Sequence, residues 1–357
     1  YSLVATGEET IRFSAKLGIA GQAFQTQSMV NVRDAYADDR FNPAIDKQTG
    51  YRTRNLLTFP MAGHNGDIVG VLQALNKHQG PFDTEDEERA EALGQLAGIG
   101  IQRQMLLDEY ARKQQLERDL SIARDIQQRL LPKADPKIDG YEIAGWNKPA
   151  DETGGDCYDY VHLSDGRLGI LMADVTGHGI GPALIAAECR ALVRALASVS
   201  SQPSTILGRA NELLYDDLDS GRFVTTFLGA LDPTRHVVEF ISAGHGPIIH
   251  YDRGKGAFRE FAATTYPMGI VAQIERTPAA PVALAAGDML ILITDGFFEW
   301  ANPDGEQFGT SRLTAVIHKY RDEPASQIIA RMHTAVMAFG SQTKQADDLT
   351  AVIVKRL

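Results

Sequence analysis

Cysteine is nearly absent from this chain of 357 residues, which has only Cys157 and Cys189. They lack C-x-x-C spacing and follow no secretory leader, so the sequence argues against a disulfide framework and against a zinc site. This scarcity predicts a cytoplasmic location, where thiols stay reduced. Long apolar runs are missing too. Since no run approaches the roughly 20 residues that cross a bilayer, we expect no membrane span.

Positive charge is also in short supply. Lys and Arg total 35 against 46 Asp and Glu, a net charge of −11 that argues against non-specific binding of nucleic acid. Hydrophobic residues make up 44% of the chain and charged residues 23%, as in soluble globular proteins. The length predicts two domains and a connector. Because the chain begins at Tyr1 in a strand-like stretch, we expect a truncated N-terminus.

Residues 1–100 are predicted to form a small mixed α/β domain. Strand-like segments at Ser28–Val32 and Ile68–Asn76 are separated by turns rich in Gly and Asp. From about Asp86 the pattern becomes helical, and its two apolar stripes are Leu93, Ala97, Ile101 and Met105, then Leu116, Leu120, Ala123, Ile126 and Leu130. The helical stretch should end before Pro132. We expect a helical linker over residues 101–132, as one helix or two in tandem, which either packs on its own domain or forms a signal-carrying coiled-coil dimer.

Residues 133–357 are organised as blocks of hairpins and helix pairs, which is typical of an α+β layered sandwich and not of a parallel Rossmann sheet. The predicted strands are Asp159–Leu163, Arg167–Ala173, Met289–Thr294 and Leu349–Val354, with further hairpins around Asp232-Pro233 and Arg253–Gly256. The predicted helices are Pro182–Val199, Thr205–Leu218, Ser311–Tyr320 and Ala325–Phe339.

Four aspartates stand at predicted strand ends beside chain reversals: Asp156, Asp174, Asp295 and Asp347. Strand ends that meet at one edge of a sandwich would bring these short carboxylates together. Oxygen ligands of this kind suit Mg²⁺ or Mn²⁺ rather than zinc. Two such ions about 4 Å apart could polarise a phosphoryl group and activate a water. A single Asp beside Gly is a routine turn residue, so the hypothesis depends on all four.

The motifs around these aspartates resemble the PPM family of metal-dependent protein phosphatases, in particular its bacterial SpoIIE/RsbU-like subgroup. The resemblance covers roughly residues 118–357 and keeps its motifs in order. They are Ala123–Pro132 (ARDIQQRLLP), Gly154–Asp159 (GGDCYD), Asp174–Gly179 (DVTGHG), Ser242–His245 (SAGH), Met268–Ile270 (MGI), Gly287-Asp288, Thr294–Phe297 (TDGF) and Asp347–Thr350 (DDLT). The implied fold is a PPM-type β-sandwich flanked by helices.

The resemblance also implies a set of catalytic metal ligands. The side chains of Asp156, Asp174, Asp295 and Asp347 would hold two Mn²⁺ or Mg²⁺ ions, with Asp174 bridging both. The residue after the bridging aspartate, Val175, would lend its backbone carbonyl to the metal.

The family pattern does not assign a clear role to three further residues, Asp348, His178 and His245. Asp348 is a weaker candidate ligand than Asp347. Eukaryotic relatives carry a histidine two residues beyond the bridging aspartate, whereas this chain has Thr176 there and His178 four residues beyond. We therefore assign no general acid. His178 and His245, which lie in glycine-rich turns, fit structural roles at least as well.

The sequence lacks the motif spacings that other phosphatase mechanisms require. A cysteine-based phosphatase needs an arginine six residues after its nucleophile, but Leu163 and Ala195 stand at that distance from the two cysteines. A covalent aspartyl mechanism needs DxDx(T/V) after an apolar strand, whereas Asp217–Ser220 lies in a helical, polar stretch. The sequence also lacks a GxxxxGK(S/T) nucleotide loop.

Residues 1 to about 102 resemble a GAF domain that lacks its first helix and strand. The resemblance rests on Leu17–Gly21, Asn31–Tyr36, Asp38–Asn42 and Gly50–Arg54, and on Asn76-Lys77, Phe82 and Asp86-Glu87, which reproduce the signature of cyclic-nucleotide-type GAF domains. That signature fits a structural Lys–Asp pairing. It leaves open whether the domain binds a small-molecule ligand, such as a cyclic nucleotide, or only dimerises.

The two resemblances together imply a serine/threonine protein phosphatase regulated by a GAF domain. Its substrate would be a phosphorylated anti-sigma-factor antagonist, a small STAS-type domain of partner-switching pathways, and its linker would form a homodimer. The competing hypothesis is a ligand-gated signalling scaffold without turnover. The intact carboxylates argue against a scaffold, which has no need to keep mutually repelling charges together.

Overall fold

The computed structural model describes residues 17–357 apart from 220, 276, 278 and 342. The strand expected at the start of the chain lies outside the described residues. Contacts divide the chain into two compact units, Tyr1–Leu116 and Glu117–Leu357. The domain boundaries at residues 100 and 132 stay predictions, because this division falls within a helix.

The first unit contains a three-stranded antiparallel sheet in the order β1-β2-β3. Its described elements before the long helix are α1 (Gly18–Thr26), β1 (Val30–Val32), a 3-10 turn (Ala35–Ala37), α2 (Ala44–Thr49), β2 (Leu56–Ala62) and β3 (Ile68–Leu75). Successive side chains of β2 point to opposite faces, so Leu56 packs with Ile19 and Val32 while Leu57 and Phe59 pack on the other side. The two strands predicted for this region are confirmed.

A single helix, α3, runs from Thr84 to Leu130. The acidic residues of its first turn, Glu85–Glu87, suit the positive end of the helix dipole. The helix ends before Pro132 as predicted, because the residue that precedes a proline disfavours helical backbone. The chain therefore forms one continuous helix here and not two in tandem. Among the described residues, no helix is both long and apolar enough to cross a membrane.

The second unit stacks two five-stranded sheets between outer helices, and this α+β sandwich is the predicted fold class. One sheet has the order β10-β9-β12-β13-β4 and the other β11-β8-β7-β6-β5. The strands are β4 (Tyr141–Lys148), β5 (Cys157–His162), β6 (Leu168–Val175), β7 (Val224–Asp232), β8 (Val237–Ala243), β9 (Ile248–Asp252), β10 (Ala257–Phe261), β11 (Val282–Ala283), β12 (Met289–Ile293) and β13 (Leu349–Arg356). The helices are α4 (Ile180–Ala197), α5 (Pro203–Asp217), α6 (Gly296–Glu299), α7 (Gly309–Lys319) and α8 (Ala325–Gly340).

The main core of this unit lies between the two sheets. Leu290 and Leu292 of β12 face Ile170 and Phe227 of the opposite sheet. The alternate residues of β12 pack instead under α7 and α8, while α4 and α5 cover the outer face of the other sheet. Since both of its faces are covered, every residue of β12 is apolar and buried. Central strands held this firmly fix the positions of the loops that leave them.

Candidate active site

Asp156 and Asp174 lie at the same end of two neighbouring strands. Asp156 immediately precedes β5, and Asp174 is the second-last residue of β6. These strands pair antiparallel with Cys157 opposite Ala173, and the Val175 N–H donates to the Gly155 carbonyl at 3.2 Å. The register therefore places the two aspartates opposite each other.

The second pair of aspartates comes from the other sheet. Ile293 of β12 pairs with Ala351 of β13, and the Thr294 N–H continues the ladder by donating to the Thr350 carbonyl at 3.0 Å. Asp295 follows directly on this pair, and Asp347 lies two residues before β13. Each sheet thus supplies two aspartates from adjacent antiparallel strands.

Two threonine hydroxyls connect the sheets at this point. Thr294 Oγ1 and Thr350 Oγ1 both donate to Asp156 Oδ2, at 2.8 and 2.5 Å. Thr350 Oγ1 in turn accepts a bond from Asn147 Nδ2 at 2.8 Å. Because all four residues are buried or half-buried, these bonds fix the orientation of the Asp156 carboxylate before any ion binds.

The carboxyl groups raise one another's pKa values. Burial, and then the charges of Asp295 and Asp347, raises the pKa of Asp174 to about 7. Burial and the charge of Asp347 raise the pKa of Asp295 to about 6. For Asp156, burial followed by the charge of Asp174 raises the pKa well above its usual range. The cluster holds too much negative charge to be fully ionised at neutral pH without a cation.

The chemistry of this cluster fits a hard divalent cation. Its donors are all carboxylate oxygens, the ligands that Mg²⁺ and Mn²⁺ prefer. Within the described ranges, no three side chains of His, Cys, Asp or Glu already stand close enough together to hold an ion. Ion binding would therefore have to draw these side chains closer together.

Asp348 organises the neighbouring loop. Its Oδ1 accepts a bond from the Ala150 N–H at 2.8 Å, and its Oδ2 accepts one from the Asp156 N–H at 3.2 Å. Gly154 lies so close to this carboxylate that any Cβ there would collide with it. With its oxygens engaged by the loop, Asp348 leaves Asp347 as the better candidate ligand of the pair.

The end of α3 holds the other side of the same loop. Gln127 Nε2 donates to the Gly154 carbonyl at 2.6 Å, and Gln127 Oε1 accepts from the Gly154 N–H at 3.1 Å. Arg124 Nε donates to the Glu152 carbonyl at 3.0 Å. These contacts give a physical role to the ARDIQQRLLP motif, whose residues attach the helix to the loop that carries Asp156.

The two histidines flagged in the sequence differ in environment. His178 is 66% exposed at its side chain, and its Nδ1 lies 2.9 Å from Asp151 Oδ2. The other oxygen of Asp151, Oδ1, lies 3.2 Å from Lys344 Nζ. His245 is buried, and this burial lowers its pKa to about 4. Its carbonyl accepts a bond from the Ser242 hydroxyl at 2.5 Å, which is consistent with a structural role.

Sequence reasoning identified the four aspartates but missed their supports. Thr294 and Thr350 stand within the quoted TDGF and DDLT motifs. A hydroxyl directly before Asp295 and another three residues after Asp347 were therefore available signals. The contact of Asp151 with His178 could not be predicted from the sequence, because it joins two separate loops. The cysteine chemistry excluded by spacing is also excluded by environment, since burial raises the pKa of Cys189 to about 12.

The family profile described as "Stage II sporulation protein E (SpoIIE)" matches residues 164–357, more than half of the chain. The chain belongs to the SpoIIE family. A GAF domain profile matches residues 4–101, so the SpoIIE-family region follows a GAF domain. The predicted Lys–Asp pairing of that domain is confirmed by an ion pair between Lys77 and Asp86, to which Asp83 adds a second carboxylate 2.8 Å from Lys77 Nζ.

Two curated proteins are similar to parts of this SpoIIE-family chain. Phosphoserine phosphatase RsbU of Bacillus subtilis (strain 168) is 25% identical over 244 residues, which are 68% of this chain and 72% of RsbU. The cGMP-specific 3',5'-cyclic phosphodiesterase of Drosophila melanogaster is 42% identical over 128 residues, which are 34% of this chain and only 11% of that enzyme.

Two solved structures show the same fold as the SpoIIE-family region. The SiaA-PP2C domain of Pseudomonas aeruginosa is similar with a TM-score of 0.59 and 23% identity, over 69% of this chain and 98% of that domain. The PP2C phosphatase domain of SpoIIE from Bacillus subtilis, with a fragment of its regulatory domain, gives a TM-score of 0.52 and 21% identity, over 62% of this chain and 64% of that structure. The second unit therefore has the PP2C phosphatase fold.

Proposed function

We propose that this chain is a metal-dependent serine/threonine protein phosphatase. The observation that carries the proposal is the convergence of Asp156 and Asp174 from one sheet with Asp295 and Asp347 from the other, in a cluster whose carboxyl groups raise each other's pKa values. Membership of the SpoIIE family and the PP2C fold support it. The similarity to phosphoserine phosphatase RsbU favours phosphoserine as the substrate class.

In this proposal the four aspartates hold two Mn²⁺ or Mg²⁺ ions, with Asp174 between them and the Val175 carbonyl as a further ligand. The bound ions would neutralise the phosphoryl oxygens and lower the pKa of an attacking water. The chain's own residues prepare the site: Thr294 and Thr350 orient Asp156 through its Oδ2, and Asp348 holds the loop. Because these groups fix Asp156 beforehand, this one ligand needs little reorganisation when an ion binds.

Hydrolysis of p-nitrophenyl phosphate and of a phosphoserine peptide tests this function. We expect turnover of both with Mn²⁺ and none after chelation with EDTA. A phosphorylated STAS-type anti-sigma-factor antagonist is the proposed protein substrate, and we expect it to be dephosphorylated at a higher kcat/KM than the peptide. Absence of turnover on every substrate with both Mn²⁺ and Mg²⁺ would instead support the signalling scaffold without catalysis.

We further propose that the GAF domain regulates the phosphatase through α3. Gln127 and Arg124 attach the end of this helix to the loop before Asp156, so a shift of the helix would move a ligand-bearing loop. The helix also exposes apolar side chains in the first unit, at the spacing of one helix face: Leu96, Ile99, Leu106 and Tyr110. Leu96 is 73% exposed. A second copy of the chain would cover this face in a homodimer.

The proposed homodimer can be tested by measuring the molecular mass of the protein in solution. Leu96→Glu combined with Leu106→Glu should convert dimers into monomers, because two charges on a dimer seam oppose burial. Light scattering after size-exclusion chromatography measures the mass directly. Gln95→Glu, on an exposed neighbouring position, is the matched control and should leave the dimer intact. A wild-type monomer at micromolar concentration would rule out this role of α3.

A further inference from the structure

One exposed arginine stands beside the candidate site without a carboxylate partner in the described part of the chain. Arg222 precedes Phe223, whose N–H donates to Thr176 Oγ1 at 3.3 Å and whose carbonyl accepts from the Thr176 N–H at 3.2 Å. Thr176 lies only two residues beyond Asp174. The backbone that carries Arg222 is therefore bonded to the segment that carries the proposed bridging ligand.

The guanidinium of Arg222 lies over the first turn of α4. A Cβ placed on Gly181 would be only 3.0 Å from its Nη1 and 3.5 Å from its Nη2. The N-terminus of a helix carries partial positive charge, so a cation held there is unfavourable unless an anion lies between or beside the two. The position of Arg222 therefore suits a site that binds an anionic group next to the aspartate cluster.

Apolar side chains flank this arginine on two sides. Leu184, three residues beyond Gly181 on the same helix face, is 67% exposed, and Ile180 is 43% exposed. On the other side, a Cβ placed on Gly269 would be 3.5 Å from the Arg222 carbonyl oxygen, and the next residue, Ile270, is 47% exposed. We name the set Ile180, Gly181, Leu184, Arg222 and Ile270 the Arg222 surface. A free phosphate would use the arginine alone, whereas the apolar groups need a larger partner.

The far edge of this surface is acidic. Glu188 lies one helix turn beyond Leu184 on α4, and burial followed by the charge of Asp217 of α5 raises the Glu188 pKa. Two acidic groups here disfavour a polyanion such as nucleic acid or an acidic lipid surface. They leave a phosphoserine within an otherwise apolar or basic protein segment as the matching occupant.

We propose that the Arg222 surface binds the phosphoserine-bearing segment of the substrate protein, with Arg222 contacting the phosphate and Leu184 and Ile180 contacting an apolar residue beside the phosphoserine. This inference rests on the proposed function and names the residues that select its substrate. Arginine suits the role, because its planar fork can donate two hydrogen bonds to one phosphate. Leu184 contributes contact area and no charge, so its effect should depend on the residues that flank the phosphoserine.

Steady-state kinetics on three substrates tests the surface. The substrates are p-nitrophenyl phosphate, a phosphoserine peptide flanked by leucine, and the same peptide flanked by aspartate. We expect Arg222→Gln to raise KM for all three by about tenfold or more, the loss of a charge-assisted hydrogen bond. Leu184→Ser should raise KM by roughly threefold to tenfold for the leucine peptide only. Arg331→Gln and Val199→Ser are the matched controls and should behave as wild type. They alter an exposed residue of α8 and one just after the end of α4.

A binding measurement separates this inference from the catalytic proposal. The leucine peptide is made with a non-hydrolysable phosphonate in place of phosphoserine, and its affinity is measured by fluorescence anisotropy. Loss of affinity in Arg222→Gln and Leu184→Ser, even if the wild type hydrolyses nothing, would uphold the surface and refute the phosphatase proposal. Hydrolysis by wild type with KM and affinity unchanged in both variants would overturn the surface alone. Failure of wild type both to bind and to hydrolyse would overturn both.

Discussion

Replacement of Asp174 by asparagine is expected to abolish metal-dependent hydrolysis and, at the same time, to stabilise the metal-free protein at pH 8. The loss of activity should exceed about a thousandfold, because a bridging carboxylate contacts both ions and their positions decide the geometry of the reaction. The variant should keep its fold, since asparagine has the shape of aspartate. Hydrolysis of a phosphoserine peptide with Mn²⁺ and thermal unfolding in EDTA measure the two effects.

The gain in stability follows from the direction of the pKa shift. The pKa of Asp174 rises from its ordinary 3.8 to about 7 in the folded protein, so between these pH values the native state binds more protons than the unfolded state. Stability therefore falls as pH rises through this window. Asparagine removes the penalty, which is on the order of 2–4 kcal/mol at pH 8 and corresponds to roughly 5–15 °C in Tm. At pH 4 the variant and wild type should unfold at similar temperatures.

Asp304→Asn supplies the matched control for this experiment. Asp304 is exposed in a turn between α6 and α7, and its charge is not among the causes that raise the pKa values of Asp156, Asp174 and Asp295. Its replacement should change neither turnover nor the pH dependence of Tm. An Asp174→Asn variant that retained metal-dependent turnover, or that was less stable than wild type at pH 8, would contradict the role assigned to this carboxylate.

Manganese is expected to raise the Tm strongly at pH 8 and only weakly at pH 5. At pH 8, above the pKa values of about 7 for Asp174 and about 6 for Asp295, these two carboxyl groups are ionised. An ion present at about 100 times its dissociation constant then stabilises the fold by about 2.7 kcal/mol. At pH 5 the pKa values of about 7 for Asp174 and about 6 for Asp295 mean that protons occupy the cluster and compete with the ion. Thermal unfolding with Mn²⁺ and with EDTA across this pH range gives the difference in Tm.

Subtracting the Tm in EDTA from the Tm with Mn²⁺ cancels the contribution of groups that titrate in the same way under both conditions. Burial lowers the pKa of His245 to about 4, so the unfolded state binds more protons there between about pH 4 and 6.5, and stability falls as pH decreases through that range. This term has the opposite sign to that of the aspartates, but it is present with and without Mn²⁺. An equal effect of Mn²⁺ at both pH values would indicate that the ion binds elsewhere.

Local patterns in the sequence predicted most of the catalytic-domain fold. Helices α4 and α8 were recognisable from their periodicity, and the hairpin of β5 and β6 was recognisable from its turn residues. The two-residue strand β11 was not, since so short a segment has no period of its own. Pairing of β4 with β13 joins segments about 200 residues apart, and periodicity carries no information on such partners.

In the candidate site, too, the local features were predictable from the sequence and the contacts between distant segments were not. The aspartates were identifiable from motifs, because a carboxylate beside a chain reversal is a local feature. The hydroxyls of Thr294 and Thr350 reach Asp156 across a gap of 138 and 194 residues in sequence. Likewise the bonds between Gln127 and Gly154 connect a helix end to a distant loop. Such contacts are fixed by how two sheets and a helix pack, which spacing along the chain does not specify.

A crystal structure of the protein grown with Mn²⁺, with anomalous scattering measured at the manganese edge, tests the central claim most directly. The account predicts two anomalous peaks about 4 Å apart, both among Asp156, Asp174, Asp295 and Asp347, with Asp174 contacting each. Manganese found at other sites, with no peak among these four aspartates, would contradict it.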